Sequence, residues 1–214
     1  KEISTLNSWE MSGVQFELVI SDQVTYFSEA SIKVLIHDSK SYHFIDTVNF
    51  FIGNEVSIFE EDFDSGVGEW LVAGDWGLTD NPSIGLYALT DSPNGNYSAD
   101  ASSTAVLDID LDFSFIANPF ISFSAIWDIE DGYDFIRFQA FTEEDGWVSL
   151  QGNYTVSGNG ASVQPLGEFG YDGTQNTWVD EKIFLEQLNG HKPLRFRFIQ
   201  DSDQFVEGDG FVFD

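Results

Sequence analysis

Cysteine is missing from all 214 residues, which excludes disulfides, zinc–thiolate centres, iron–sulfur clusters and cysteine nucleophiles. Basic residues are scarce as well. Lys and Arg number 8 against 37 Asp and Glu, a formal net charge of −29. The eight are Lys1, Lys33, Lys40, Arg137, Lys182, Lys192, Arg195 and Arg197, and they form no stripe. Binding nucleic-acid phosphates or anionic lipid headgroups needs clustered cations, so neither is an expected partner. No apolar run approaches the ~20 residues that cross a bilayer, and no membrane insertion is expected. A secretory leader pattern is missing too. Because the chain starts at Lys1 rather than Met, it is expected to be a fragment of a longer protein.

Motifs of catalysis are also lacking. The histidines, His37, His43 and His191, form no His-Glu-x-x-His pair. No Gly-x-Ser-x-Gly elbow, phosphate-binding loop or dinucleotide fingerprint is found. The acids are numerous enough to supply a carboxylate pair for glycoside hydrolysis, so a free-standing hydrolase is retained as a rival reading. The expectation is a chain with no catalytic activity of its own.

Aromatic residues, by contrast, are abundant at 16%, with 21 Phe and 6 Trp. A disordered acidic chain would be poor in them, so this one can bury a sizeable core. Apolar residues recur with period two: Val14 to Ile20, Ile32 to Ile36, Val48 to Ile52, Leu107 to Phe113, Ile121 to Trp127, Ile136 to Ala140, Leu194 to Phe198 and Phe211 to Phe213. Turn residues separate them, as in Ser92-Pro93-Asn94-Gly95 and Ser157-Gly158-Asn159-Gly160. Such patterning predicts half-buried antiparallel strands. Only Asp180–Leu188, stopped by Asn189-Gly190, reads as helical. The predicted class is all-β, an antiparallel β-sandwich with a jelly roll as the leading topology. A joint is placed at Gly53-Asn54-Glu55. It separates residues 1–55, a partial immunoglobulin-like β segment, from a jelly roll over 56–214.

Carboxylates supply the sharpest candidate site. Glu60, Asp62 and Asp64 read as one face of a strand opposite Phe59 and Phe63, and Asp214 lies beside Phe213 on the last strand. If first and last strands pair, these groups meet and repel unless a cation lies between them. An all-oxygen set selects calcium, which takes 6–8 oxygens at ~2.3–2.6 Å. Asp108, Asp110 and Asp112 read as an exposed ladder. Glu130, Asp131 and Asp134 read as a turn, with Asp134 facing Arg195 or Arg197. Trp76, Trp147 and Trp178 lie in or near turns and are candidate stacking platforms for a sugar ligand.

Several strings together resemble a known module. They are Glu61-Asp-Phe-Asp-Ser-Gly66 with Trp70 and Gly74-Asp-Trp-Gly-Leu-Thr79; Ala88-Leu-Thr-Asp-Ser-Pro-Asn-Gly-Asn-Tyr97; Trp127-Asp-Ile-Glu-Asp-Gly-Tyr-Asp134; Glu144-Asp-Gly-Trp-Val-Ser-Leu150; Phe184-Leu-Glu-Gln-Leu-Asn-Gly190; and Asp209-Gly-Phe-Val-Phe-Asp214. Their order resembles MAM-like (galactose-binding-like) jelly-roll modules appended to secreted bacterial peptidases of the Bacteroidetes type: immune inhibitor A metallopeptidases, zinc carboxypeptidases and, more distantly, cleaved adhesins. The resemblance covers residues 56–214, and residues 1–55 look like the immunoglobulin-like segment that often precedes such modules. It implies a secreted or cell-surface accessory domain, non-catalytic and calcium-stabilised, serving an upstream catalytic peptidase domain. It also implies Asp62, Asp64 and Asp214 as calcium ligands, with Asp91 a further one. Alternatives are a carbohydrate-binding module with a polysaccharide ligand, or an adhesin-type module that binds an extracellular protein. The family usually adds one short strand after the closing Asp, and this chain stops at Asp214.

Overall fold

The period-two patterns become strands in a computed structural model. It describes residues 28–37, 43–52 and 56–214, apart from 110, 112, 114, 115, 117, 189–191 and 194. The chain divides into two compact units, one ending at Val56 and one running Ser57–Asp214. In the first, β1 (Ser28–His37) and β2 (His43–Ile52) form an antiparallel hairpin with Ile32 opposite Val48. The strand expected over Val14 to Ile20 lies outside the described residues, as does most of the immunoglobulin-like reading.

In the second unit the strands are β3 (Trp70–Ala73), β4 (Gly77–Thr79), β5 (Ala88–Thr90), β6 (Ser102–Leu107), β7 (Phe120–Ile129), β8 (Phe135–Thr142) and β9 (Gly146–Ser149). After them come β10 (Val156–Ser157), β11 (Phe169–Gly170), β12 (Gly173–Phe184), β13 (Arg195–Asp201) and β14 (Gly210–Phe213). One five-stranded sheet has the order β12-β7-β14-β5-β4 and the other β3-β6-β13-β8-β9; β10 and β11 form a small ribbon. All pairings are antiparallel. The protein is an all-β antiparallel sandwich, and its chain passes repeatedly between the two sheets in jelly-roll fashion.

Each sheet turns one face inward, so alternate side chains disappear from water. Along β13 the buried residues are Phe196, Phe198 and Gln200, with Arg195, Arg197, Ile199 and Asp201 less enclosed. The Phe198 ring centroid lies 4.7 Å from Phe138 of its own sheet. It lies 4.3 Å from Phe213 and 5.3 Å from both Phe211 and Phe123 of the opposite sheet. Such tilted and edge contacts add about 0.5–1.5 kcal/mol per pair to the burial of the rings. The aromatic excess of the sequence is therefore spent on joining the two sheets.

Two local expectations are corrected. Residues 59–64 form no strand. Phe63 takes a φ of 55°, and the Asp64 amide donates to Asp62 Oδ1 at 3.1 Å, so the acids line a turn rather than a strand face. The stretch Asp180–Leu188 is not helical through its length. β12 continues to Phe184, paired with β7 through Ile183 opposite Ile121, and only Leu185–Leu188 forms a 3₁₀ turn. Asp108 lies beyond the end of β6, and residues 110 and 112 are outside the described set, so no acidic strand ladder is described there.

Candidate functional site

Three loops of the second unit converge on a group of acids. The β7–β8 turn supplies Glu130 and Asp134, with the amides of Tyr133 and Asp134 both donating to the Glu130 carbonyl. The β13–β14 loop supplies Asp203, and the β5–β6 loop supplies Tyr97. Glu130, Asp134 and Asp203 each offer a carboxylate oxygen, and these lie within 4.8 Å of one another; no other trio of potential metal ligands does so among the described residues.

Asp134 organises the group. It is almost completely buried. Its Oδ2 accepts from the Tyr97 hydroxyl at 2.7 Å and its Oδ1 from the Asp203 amide at 2.7 Å. The Tyr97 oxygen in turn accepts from the Glu130 amide at 3.2 Å. Gln164 ties down the chain beneath, donating to the Asp134 carbonyl at 3.0 Å and to Asp172 Oδ2 at 2.8 Å. Burial pushes the Asp134 carboxyl above the usual range; the Tyr97 and Asp203 hydrogen bonds oppose this, and Asp203 and Glu207 reinforce it. Desolvation likewise raises the Glu130 carboxyl, with further repulsion from Asp134, Asp203 and Glu207. Glu130 Oε2 is shielded from solvent and has no hydrogen-bond partner. The result is a concentration of negative charge in which one oxygen lacks a donor. The cations expected opposite Asp134 are elsewhere. Arg197 donates to Gln139 Oε1 at 2.8 Å and lies over the Trp147 ring, and Arg195 reaches Asp108 at 4.0 Å.

The carboxylates expected to ligate calcium are placed differently. Asp64 Oδ1 accepts from the amides of Leu86 (2.6 Å) and Tyr87 (3.3 Å), and Asp214 Oδ2 accepts from Ile84 (2.9 Å). Both therefore grip the loop before β5, while Asp62 caps its own turn. The carboxylate oxygens of the three do not all lie within 4.8 Å of one another. Asp91 stands apart from them, fully buried at the end of β5. Its Oδ1 accepts from the Phe211 amide at 2.8 Å, and its Oδ2 has no partner. Gly210 runs so close above it, at a φ of 84°, that a Cβ there would collide with the carboxylate.

Of the candidate stacking rings, Trp76 is enclosed in the core, 6.0 Å from Phe198 and 6.1 Å from Phe213. A ring so placed has no free face for a ligand. Trp147 is partly exposed, with one face occupied by the Arg197 guanidinium 4.1 Å from the centroid. Trp178 is partly exposed beside the β12 irregularity between Gln175 and Val179.

A second organised feature lies at the far end of β12. Glu181, 1% exposed, accepts four hydrogen bonds: from the amides of Asn153 (2.6 Å), Tyr154 (3.1 Å) and Lys182 (2.7 Å) and from the Tyr171 hydroxyl (3.0 Å). The loop between β9 and β10 is wrapped around that carboxylate. Beside it opens a groove lined by Gln151, Asn153, Lys182, Phe184, Glu186 and Gln187.

No family model matches the chain, and no curated protein does. Among solved structures the chain is similar to one reported as the structural basis for the promiscuous specificity of carbohydrate-binding modules from the beta-sandwich superfamily. The TM-score is 0.39 and the identity 14%, over 87% of this chain and 72% of that one.

Proposed function

We propose that the chain is a non-catalytic, calcium-stabilised β-sandwich module, acting as a binding accessory of a secreted or cell-surface bacterial peptidase. The observation that carries the cation is Glu130 Oε2, an orphaned and shielded oxygen beside two further carboxylates within 4.8 Å. Each oxygen of Asp134 accepts a single hydrogen bond and keeps a lone pair for an ion. The donor set is oxygen only, hard and anionic, which fits calcium and does not fit zinc or copper. Glu130, Asp134 and Asp203 would hold the ion, joining the β7–β8 turn to the β13–β14 loop.

The accessory role is supported by how the buried polar groups are used. Asp134 and Tyr97 fasten one loop to another, and Glu181, held by Tyr171, fastens the β9–β10 loop to β12. The peptidase context is supported by the order of the motifs over residues 61–214 and is a property of the parent protein.

Calcium binds the folded state alone and stabilises it by mass action. With a Kd near 0.1 mM, within the range of extracellular modules, 10 mM calcium gives about 2.7 kcal/mol. For a domain of this size that raises Tm by roughly 5–10 °C. The melt is compared in EDTA and in calcium, with NaCl at matched ionic strength, because a chain of net charge −29 gains from any screening. Glu130→Gln and Asp203→Asn are expected to abolish the calcium-specific part. A Tm equal in EDTA and calcium at matched ionic strength would refute the reading.

A further inference from the structure

We infer that the groove between the β9–β10 loop and the end of β12 is a binding site for a neutral pyranose chain. The inference rests on the binding-accessory reading but not on its cation. The groove has a volume of about 320 Å³, at the lower end of small-molecule sites.

Its walls are set before any ligand arrives. Glu181 fixes the backbone of Asn153 and Tyr154 from below. A Cβ at Gly152 would stand 2.7 Å from that carboxylate, so any larger residue there would displace Glu181 from its hydrogen bonds. Gln187 closes the other side. Its Oε1 accepts from the Gln151 amide at 2.7 Å, and its Nε2 donates to the carbonyls of Gln151 (3.0 Å) and Phe184 (2.6 Å). A ligand that enters has no loop to order, which removes a principal cost of binding.

The surface offered is mixed in a particular way. The Phe184 ring is 41% exposed and lies 6.0 Å from the Phe120 ring. The Lys182 ammonium sits 3.6 Å from the Phe120 centroid and 5.7 Å from that of Phe184. Gln151 and Asn153 are exposed, and each amide carries both donors and an acceptor. A pyranose matches this set, with a C–H face for the Phe184 ring and hydroxyls for the Gln151 and Asn153 amides and the Glu186 carboxylate. Charge narrows the class further. Lys182 and Glu186 line the groove, and the Glu181 carboxylate lies buried beneath it. The chain as a whole carries −29, so uronate-rich or sulfated polymers are repelled and a neutral saccharide is the fitting ligand.

The test is a ¹⁵N–¹H correlation titration with cellohexaose, xylohexaose and mannohexaose, each to 10 mM, in EDTA and again in calcium. At least one is expected to move the amides of residues 151–153 and 182–187 saturably, with a Kd below 1 mM in both buffers. Phe184→Ala is expected to weaken that binding at least tenfold and Gln151→Ala at least threefold. Both side chains are solvent-exposed, so the variants should keep the parent's spectral dispersion; if Phe184→Ala does not, Gln151→Ala and Asn153→Ala decide. The inference is overturned if none of the three sugars gives saturable shifts, if the shifts fall outside this groove, or if the variants bind undiminished. Binding that persists in EDTA alongside a calcium-insensitive melt would remove the cation and leave the groove standing.

Discussion

Asp91→Asn is expected to stabilise the protein by about 4 kcal/mol at pH 8 and to change little at pH 4. Asp91 is fully buried, and one of its oxygens has no partner. Burial raises its pKa from 3.8 to about 7; the Phe211 amide and the Ser92 hydroxyl oppose the rise, and Asp209 adds to it. In the unfolded chain the group ionises near pH 3.8. In the folded protein it keeps its proton until about pH 7, so between these values the native state binds more protons than the unfolded state. Stability therefore falls as pH rises through that window. A shift of about three units corresponds to about 4 kcal/mol at 1.36 kcal/mol per unit. Asparagine retains an oxygen for the Phe211 amide and carries no charge to desolvate. Urea unfolding of parent and variant at pH 4, 5, 6, 7 and 8 measures the difference directly. Parallel stability curves would show that Asp91 keeps no proton when buried. If Asp91 were instead a calcium ligand, the variant would be the less stable of the two in millimolar calcium at pH 8.

Much of the sandwich was legible because burying one face of a strand leaves a period of two. Ile121 to Trp127, Ile136 to Ala140, Leu194 to Phe198 and Phe211 to Phe213 lie within or overlap β7, β8, β13 and β14. The misread stretch shows the limit of that signal. Glu181, Ile183 and Leu185 share a buried alternation, but a carboxylate at the first position conceals it, and Ile183, Phe184 and Leu188 then imitate a helical face. At residues 60–64 the opposite happened. Phe59 and Phe63 share one parity and Glu60, Asp62 and Asp64 the other, with Glu61 breaking the pattern, but the backbone turns at Phe63 and the parity places no side chain.

The candidate metal group was half visible. Glu130 and Asp134 stood out as a turn, but Asp203 lies 69 residues beyond Asp134, and only the placement of the β13–β14 loop against the β7–β8 turn joins them. The available clue was the acid-rich run Asp201-Ser-Asp203 to Glu207-Gly-Asp209 between two strong strands. Trp76 was undecidable from its neighbours in sequence, since the rings that enclose it, Phe198 and Phe213, come from β13 and β14.

Glu181→Gln is expected to cost about 2–6 kcal/mol, although it preserves the size and shape of the side chain. The carboxylate accepts four hydrogen bonds, three from backbone amides, in a site with 1% exposure. An amide offers one oxygen where the carboxylate offered two, and its NH₂ group faces donors. The donors split between Glu181 Oε1 (Asn153 and Lys182 amides) and Oε2 (Tyr154 amide and Tyr171 hydroxyl), so either orientation strands two of them. Each stranded buried donor costs about 1–3 kcal/mol. Because no cavity is made, the loss isolates polar satisfaction from packing. The damage should be local as well as global. Amide exchange of Asn153 and Tyr154 is expected to accelerate beyond that of the β13 core, since the anchor of their loop is the group removed. A variant as stable as the parent, with those two amides equally protected, would mean that the β9–β10 loop is held by something other than Glu181, and the preset wall of the groove beside it would lose its physical basis.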